Sequence, residues 1–361
     1  MAASLAHWIR AYGQVRHVRV RTQHMPPTDL KQISIILPLF DRRNAGWHAL
    51  ESALAQRYPR ERYEVVAVTA RDHAEARNPV VATLLARCDC VVRTDLDPRL
   101  TANEIQLYLA GLRRCIGELV FFCEGHTVLR VDCCALIDEH FSRHPDWEIA
   151  WAPRHNYAVS PLGRLIAMHN DIHQRRALAA GVFSLGANSV IRRSSLDALG
   201  GLEARYLRFS ETALFHRALQ QGAVVGRILS PLATHYNDMP QTLWLRLAQD
   251  TGAGRFAYYD DLSPQGRRRD ARIRHPIYVH ARRAWIAALL APVLRGAAVT
   301  LIRAAVNALR VERRLAYRFY VLALGCGDLA GYSRASSQQA SQGRHRPGAA
   351  PARRRGGREG G

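Results

Sequence analysis

Three short stretches carry side chains suited to chemistry. Glu124-Gly125-His126 follows directly on the apolar run "ELVFFC". The spacing predicts a buried strand over residues 118–125, and alternate side chains at a strand end point the same way. Glu124 and His126 therefore face one side together, where a carboxylate and an imidazole could hold a divalent cation less hard than an all-oxygen site would choose. His235, in "THYND", is a further imidazole. Glu211 opens "SETALFHRALQQG", an amphipathic helix ending on a glycine C-cap. The helix dipole favours an ionised carboxylate in the first turn, the form that accepts a proton. Each residue also has a plain structural reading. There are 16 histidines, most of which need only a hydrogen bond, and acidic residues are common in first helical turns.

The elements that must position these groups are legible as patterns. "ISIILPLF" over residues 33–40 and "YEVVAVTA" over 63–70 are unbroken apolar runs of buried-strand length. A helix is expected between them, over about 45–56. "CDCVVRTD" at 88–95 reads as a third strand, and "NEIQLYLAGLRRCI" as a helix leading to the strand before Glu124. Strand–helix–strand alternation with apolar strands predicts a parallel α/β sheet, whose ligand cleft lies at the carboxyl ends of the strands.

Taken in order, these segments resemble the family 2 glycosyltransferases, which have the GT-A fold. "ISIILPLFDRR…ALESALAQRYPRERYEVVAV" resembles that family's opening strand–helix–strand, "GELVFFCEGH" its Asp-x-Asp strand, and "GANSVIRRSSLDALGGLEARY" its Asn–Arg-Arg–Gly-Gly segment. "SETALFHRALQQG" is similar to its Glu-Asp helix and "THYND" to its late histidine segment. The resemblance covers residues 33–260 and implies an α/β GT-A nucleotide-sugar-binding domain with a mostly parallel sheet. It implies an inverting, metal-assisted transfer of a sugar from a nucleoside diphosphate to a glycan or lipid-linked acceptor. It places the metal, Mn²⁺ or Mg²⁺, on Glu124, His126 and His235, and makes Glu211 the catalytic base. Donor contacts are expected from Pro38, Thr69, Arg71, Asp72, Glu124 and Asn188.

The chain departs from that pattern at two places. Glu124 and His126 stand where the family has two aspartates, and Thr69-Ala70, followed by Arg71-Asp72, stands where it has Asp-Asp. These departures keep open an alternative, a non-catalytic GT-A domain that binds nucleotide or glycan as a regulator or scaffold. Arg192 and Arg193 are candidates for a diphosphate clamp, or for surface charge. Trp151, Trp244 and Tyr236 are candidates for stacking on sugar, or for core. The Gln-x-x-Arg-Trp signature of processive synthases is absent, so transfer of one or a few sugars is expected.

The 361 residues carry 51 Lys and Arg against 30 Asp and Glu, a net +21, and the only lysine is Lys31. Length and 48% hydrophobic content exclude a disordered chain, a collagen and a small disulfide scaffold. The charge attracts phosphate in some form, yet no zinc finger, RNP or helix-turn-helix signature marks nucleic acid as the partner. Seven cysteines without a CxxC pair predict a reducing cytosol, and no secretory signal is read at the N-terminus. Residues 1–30 are expected as a basic extension, 31–150 as the nucleotide-binding half and 151–260 as the acceptor half. Residues 261–332 are expected as basic amphipathic helices and 333–361 as a disordered Arg-rich tail. Between 282 and 320 the longest apolar run, Trp285 to Leu294, is half of what a spanning helix needs. Arg295, Arg303, Arg310 and Arg314 fall on one face of a single helical wheel there. That helix either lies on an anionic membrane at the inner face of the plasma membrane or packs on the catalytic domain with its arginines in water.

Overall fold

The computed structural model describes residues 32–40, 43–45, 47–71, 78–97, 103–180, 189–262 and 284–344. The first half alternates strand and helix: β1 Ile33–Pro38, α1 His48–Leu54, β2 Tyr63–Ala70, α2 Pro79–Leu85, β3 Cys90–Thr94, α3 Asn103–Leu112, β4 Leu119–Phe122, β5 Thr127–Leu129 and α4 Cys133–Arg143. The second half continues with β6 Ile149–Trp151, β7 Arg154–Tyr157, α5 Pro161–Ala180, β8 Ser189–Arg192, α6 Arg193–Ala198, α7 Ser210–Gln221, β9 Val225–Arg227 and β10 Ala233–Tyr236. Three long helices close the chain: α8 Gln241–Asp261, α9 Ala284–Ala308 and α10 Arg313–Arg344.

Seven strands form the central sheet in the order β3-β2-β1-β4-β8-β6-β9. β3, β2, β1 and β4 are mutually parallel, β8 is antiparallel to β4 and β6, and β9 is parallel to β6. The sheet is thus mixed and mostly parallel, as expected from sequence. β1 and β2 are buried along almost their whole length and mostly apolar because both faces are covered. Ile33, Ile35 and Leu37 pack with α1, α2 and α4 on one side, while Ile36, Val66 and Val68 pack with α3, α6 and α7 on the other. A second sheet, β5-β10-β7, lies beyond the end of β4 and carries His235 on β10.

The chain order reverses between β1, which leads outward to β2 and β3, and β4 on its other side. Such a switch point opens a crevice at the carboxyl ends of the strands, and Glu124 stands two residues beyond β4 in that crevice. The start of β4 is pinned by a buried polar pair, Ser34 donating to Glu64. Their oxygens accept the backbone N–H groups of Gly117 at 2.7 Å and Ile116 at 2.6 Å. A Cβ on Gly117 would lie 2.6 Å from the Ser34 nitrogen, so only glycine lets the chain pass here.

The C-terminal helices differ from expectation in three ways. The tail expected to be disordered from residue 333 is helical to Arg344, with Tyr332, Ser333 and Ser336 buried; residues 345–361, like 1–30, lie outside the described residues. Small residues make this packing possible, since Gly252 of α8 and Gly331 of α10 let the two backbones touch. The single basic helix over 282–320 is a hairpin instead: α9 ends at Ala308, Arg310 lies in the turn, and Arg313 and Arg314 begin α10. Finally, α9 continues past Leu294 through Arg295 and Arg303, so its residues 288–308 are long and apolar enough to cross a membrane by length and composition. Its Ala298, Ile302 and Ala305 pack with Ala316 and Tyr320 of α10 and Leu165 of α5.

Candidate functional site

β4 delivers Glu124 and His126 to the crevice, and β10 returns 109 residues later to place His235 against them. β10 pairs antiparallel with β5, setting His235 opposite Thr127, while the Tyr236 N–H donates to the His126 carbonyl at 3.0 Å. The register therefore fixes both rings. Their Nε2 atoms are 3.0 Å apart. Glu124 Oε2 lies 3.2 Å from the first and 3.1 Å from the second. All three side chains are buried, at 7%, 1% and 4% exposure for Glu124, His126 and His235.

Burial alone would raise the Glu124 carboxyl, but the rings of His126 and His235 hold it well below the ordinary carboxylate range. His235 is held well below its usual value by burial and by the Arg154 charge, so its ring is neutral. An ionised carboxylate and a neutral imidazole are the protonation states a metal requires. Bonds of about 2.1 Å in an octahedral shell put neighbouring ligand atoms about 3.0 Å apart. The three separations match one face of such a shell, two imidazoles and a carboxylate with positions left open. The donor set fits a divalent cation.

Glu211 sits in the first turn of α7, partly exposed. Burial, then repulsion from Glu124, pushes its carboxyl up to about 7, against the pull of Arg208 and Arg154. The expectation that the helix dipole keeps it ionised is thus corrected. A 3-10 stretch over Ala204–Phe209, kinked at Leu207 (φ 45°), precedes α7. The result is a carboxyl poised near neutrality, as a proton acceptor should be.

Two groups escaped the sequence reading. Arg154, at the start of β7, places its guanidinium 3.4 Å from Glu124 Oε2 and is itself attracted to Glu211. Gln174 of α5 fixes its backbone, accepting from the Arg154 N–H at 2.7 Å and donating to its carbonyl at 3.2 Å. Tyr108 of α3 is the other. Its hydroxyl is buried without a hydrogen-bond partner among the described residues, close enough to Glu104, Glu124 and Glu211 to feel their charges. Neither lies in a motif; only their chemistry, an arginine and a tyrosine in otherwise core-like stretches, could have drawn attention. Arg43 joins the rim with a left-handed backbone (φ 46°), donating to the Tyr236 carbonyl at 3.1 Å.

The remaining sequence candidates are spread along the same edge or elsewhere. Pro38 ends β1 and is buried. Thr69 is buried near the end of β2, two strands from β4. Arg71 forms an exposed ion pair with Asp95 at 2.8 Å. Asp72 and Asn188 lie outside the described residues. Arg192 and Arg193 are not near the crevice. Arg192 pairs with Glu118 and Arg193 donates to the Gly117 carbonyl, at the opposite end of β4, about 20 Å of strand from Glu124. Trp151 and Trp244 are core, the latter donating to the Tyr320 hydroxyl at 3.3 Å.

No protein-family model and no curated protein matches the sequence. Solved structures do match the fold. A mannosyltransferase from Pyrobaculum calidifontis, in complex with GDP-Man and Mn²⁺, superposes with a TM-score of 0.53 at 16% identity, covering 91% of this chain and 94% of its own. Residues 1–349 of TarS from S. aureus, in complex with UDP, match with a TM-score of 0.44 at 12% identity, covering 86% and 92%. The strand order, the switch-point crevice and the superposition over most of the chain agree: this protein has the GT-A fold of nucleotide-sugar glycosyltransferases.

Proposed function

We propose that the protein is an inverting glycosyltransferase of hexosyl type, moving one or a few sugars from a nucleoside diphosphate to a glycan or lipid-linked acceptor. The observation that carries this reading is one cluster: Glu124, His126 and His235 converge at the switch point, with the Glu211 carboxyl poised near neutrality beside them. Glu124, His126 and His235 would hold Mn²⁺ or Mg²⁺, which when bound neutralises a leaving diphosphate. Arg154, 3.4 Å from Glu124, adds fixed positive charge to the same wall. Glu211 takes the acceptor hydroxyl proton while that oxygen attacks the anomeric carbon from the face opposite the diphosphate, which departs with the bonding electron pair. Inversion follows from that single displacement.

Pro38, Thr69 and Arg71 lie along the carboxyl edge of the sheet and are assigned, with Asp72 and Asn188, to the donor nucleotide. All seven cysteines are free, which fits a reducing cytosol. The absence of a carboxylate among residues 69–71 favours a second reading, a GT-A domain that binds without turnover.

A thermal-shift panel of UDP, GDP, CDP and dTDP, with and without Mn²⁺, separates the two. The catalytic reading expects one nucleotide to raise Tm only when Mn²⁺ is present, and that nucleotide's sugars to be consumed by wild type and not by Glu211→Gln. Flat curves in a protein that melts cooperatively overturn it; a shift without any turnover leaves the binding reading.

A further inference from the structure

We propose that the outer face of α9, with the turn that joins it to α10, docks this protein on an anionic lipid bilayer. Along α9, Leu289, Val293, Gly296, Thr300, Arg303 and Asn307 recur at helical spacing, and every one is exposed. Leu289 and Val293 are 65% and 66% exposed. The opposite face is committed, since Ala298, Ile302 and Ala305 are fully buried against α10 and α5. The stripe runs about 32 Å from Leu289 to Arg310. It is apolar at its start and arginine-bearing at its end. The turn continues it, with Val311 87% exposed and Leu315 41% exposed among Arg310, Arg313 and Arg314.

Charge identifies the occupant. Residues 284–344 contain eight arginines and two acids. Asp328 is engaged away from the stripe, pairing with Arg255 at 2.6 Å, while Glu312 lies in the turn, where its carboxylate accepts from the backbone N–H groups of Arg314, at 2.7 Å, and Leu315. A face with an apolar patch and arginines that outnumber its one acid, Glu312, fits lipid phosphates with acyl chains beneath them. The helix lies on the bilayer and does not cross it. One face of its second half, Ala298, Ile302 and Ala305, is packed against α10 and α5, so lipid cannot surround it.

Flotation of the full chain with vesicles tests this independently of any catalytic activity. Vesicles of phosphatidylcholine with 30% phosphatidylglycerol, the probe composition, should carry at least about tenfold more protein than phosphatidylcholine alone. Leu289→Glu/Val293→Glu should lose that gain, and so should Arg310→Glu/Arg313→Glu/Arg314→Glu. All five sites are exposed, and circular dichroism with a melting curve verifies folding; if the first variant misfolds, the second decides. No flotation, or equal flotation by a folded variant, overturns the proposal. So does light scattering that shows a dimer which the Leu289→Glu/Val293→Glu change splits without vesicle binding, because the face would then belong to a second copy.

Discussion

The Nε2 atoms of His126 and His235 face each other at 3.0 Å across a single oxygen of Glu124. In the protein alone, one of those nitrogens must carry a proton for the contact to be attractive. A bound cation removes that requirement, because both nitrogens then offer lone pairs. His235→Ala should therefore weaken Mn²⁺ binding by at least about tenfold, read by calorimetric titration of the metal alone. Unchanged affinity would mean the cluster is a hydrogen-bonded core triad and nothing more.

Arg154 and a cation address the same Glu124 oxygen. Replacing Arg154 by methionine leaves that carboxylate buried beside two imidazoles with its guanidinium partner gone. Stripping one partner from a buried pair is costly, about 3–5 kcal/mol for full burial, and less here because the Arg154 side chain keeps 20% exposure. Arg154→Met should thus lower Tm in the presence of EDTA, and Mn²⁺ should recover more of Tm than it adds to wild type. An equal loss under both conditions would place Arg154 outside the cation's reach.

Glu211 gives a pH dependence whose sign follows from its role. A base must be ionised, and this carboxyl loses its proton near pH 7, so kcat/KM should rise as pH increases through about 7 and level above it. Stability runs the other way. The folded value lies above the unfolded one, so the contribution is whole below the unfolded pKa, near 4.5, and is lost as pH rises through about 7. Glu211→Gln should cost about 10²–10⁴-fold in rate yet melt higher than wild type at pH 8. A variant that melts lower at pH 8 would show that the carboxylate is a structural partner.

The strands and Glu124, His126, His235 and Glu211 were legible because each sits in a pattern with its own physics: a doubly buried strand, a strand end, an amphipathic helix with Gly222 at φ 79° behind it. Arg154 and Tyr108 were not, because they reach the site through tertiary register, β7 against β10 and α3 against β1 and β2, and not through local spacing. The tail at 333–344 misled for a related reason. Its serines and glutamines look like linker in composition, but Ser333 and Ser336 are carried into the interior by a helix whose glycines meet α8. Composition reports burial only when apolar side chains do the burying, and here the close approach at Gly331 and polar ties from Arg334 to Gln249 and Gln339 to Asp260 seat the helix.

That backbone contact supplies the last prediction. A Cβ on Gly252 would stand 1.8 Å from the Asp328 carbonyl oxygen, and one on Gly331 would stand 1.9 Å from that of Gln249. Neither obstacle is a flexible side chain, so α8 and α10 must separate to admit a methyl group. Overpacking of this kind costs about 1–3 kcal/mol. Gly252→Ala should lower the denaturation midpoint accordingly, while Gly296→Ala, with open space around it on α9, should leave the midpoint unchanged or raise it, alanine being the better helix former by roughly 1 kcal/mol. Both lie outside the metal cluster, so Mn²⁺ affinity should persist in each folded variant. If Gly252→Ala melts like wild type, α10 does not pack on α8 through its backbone at Asp328.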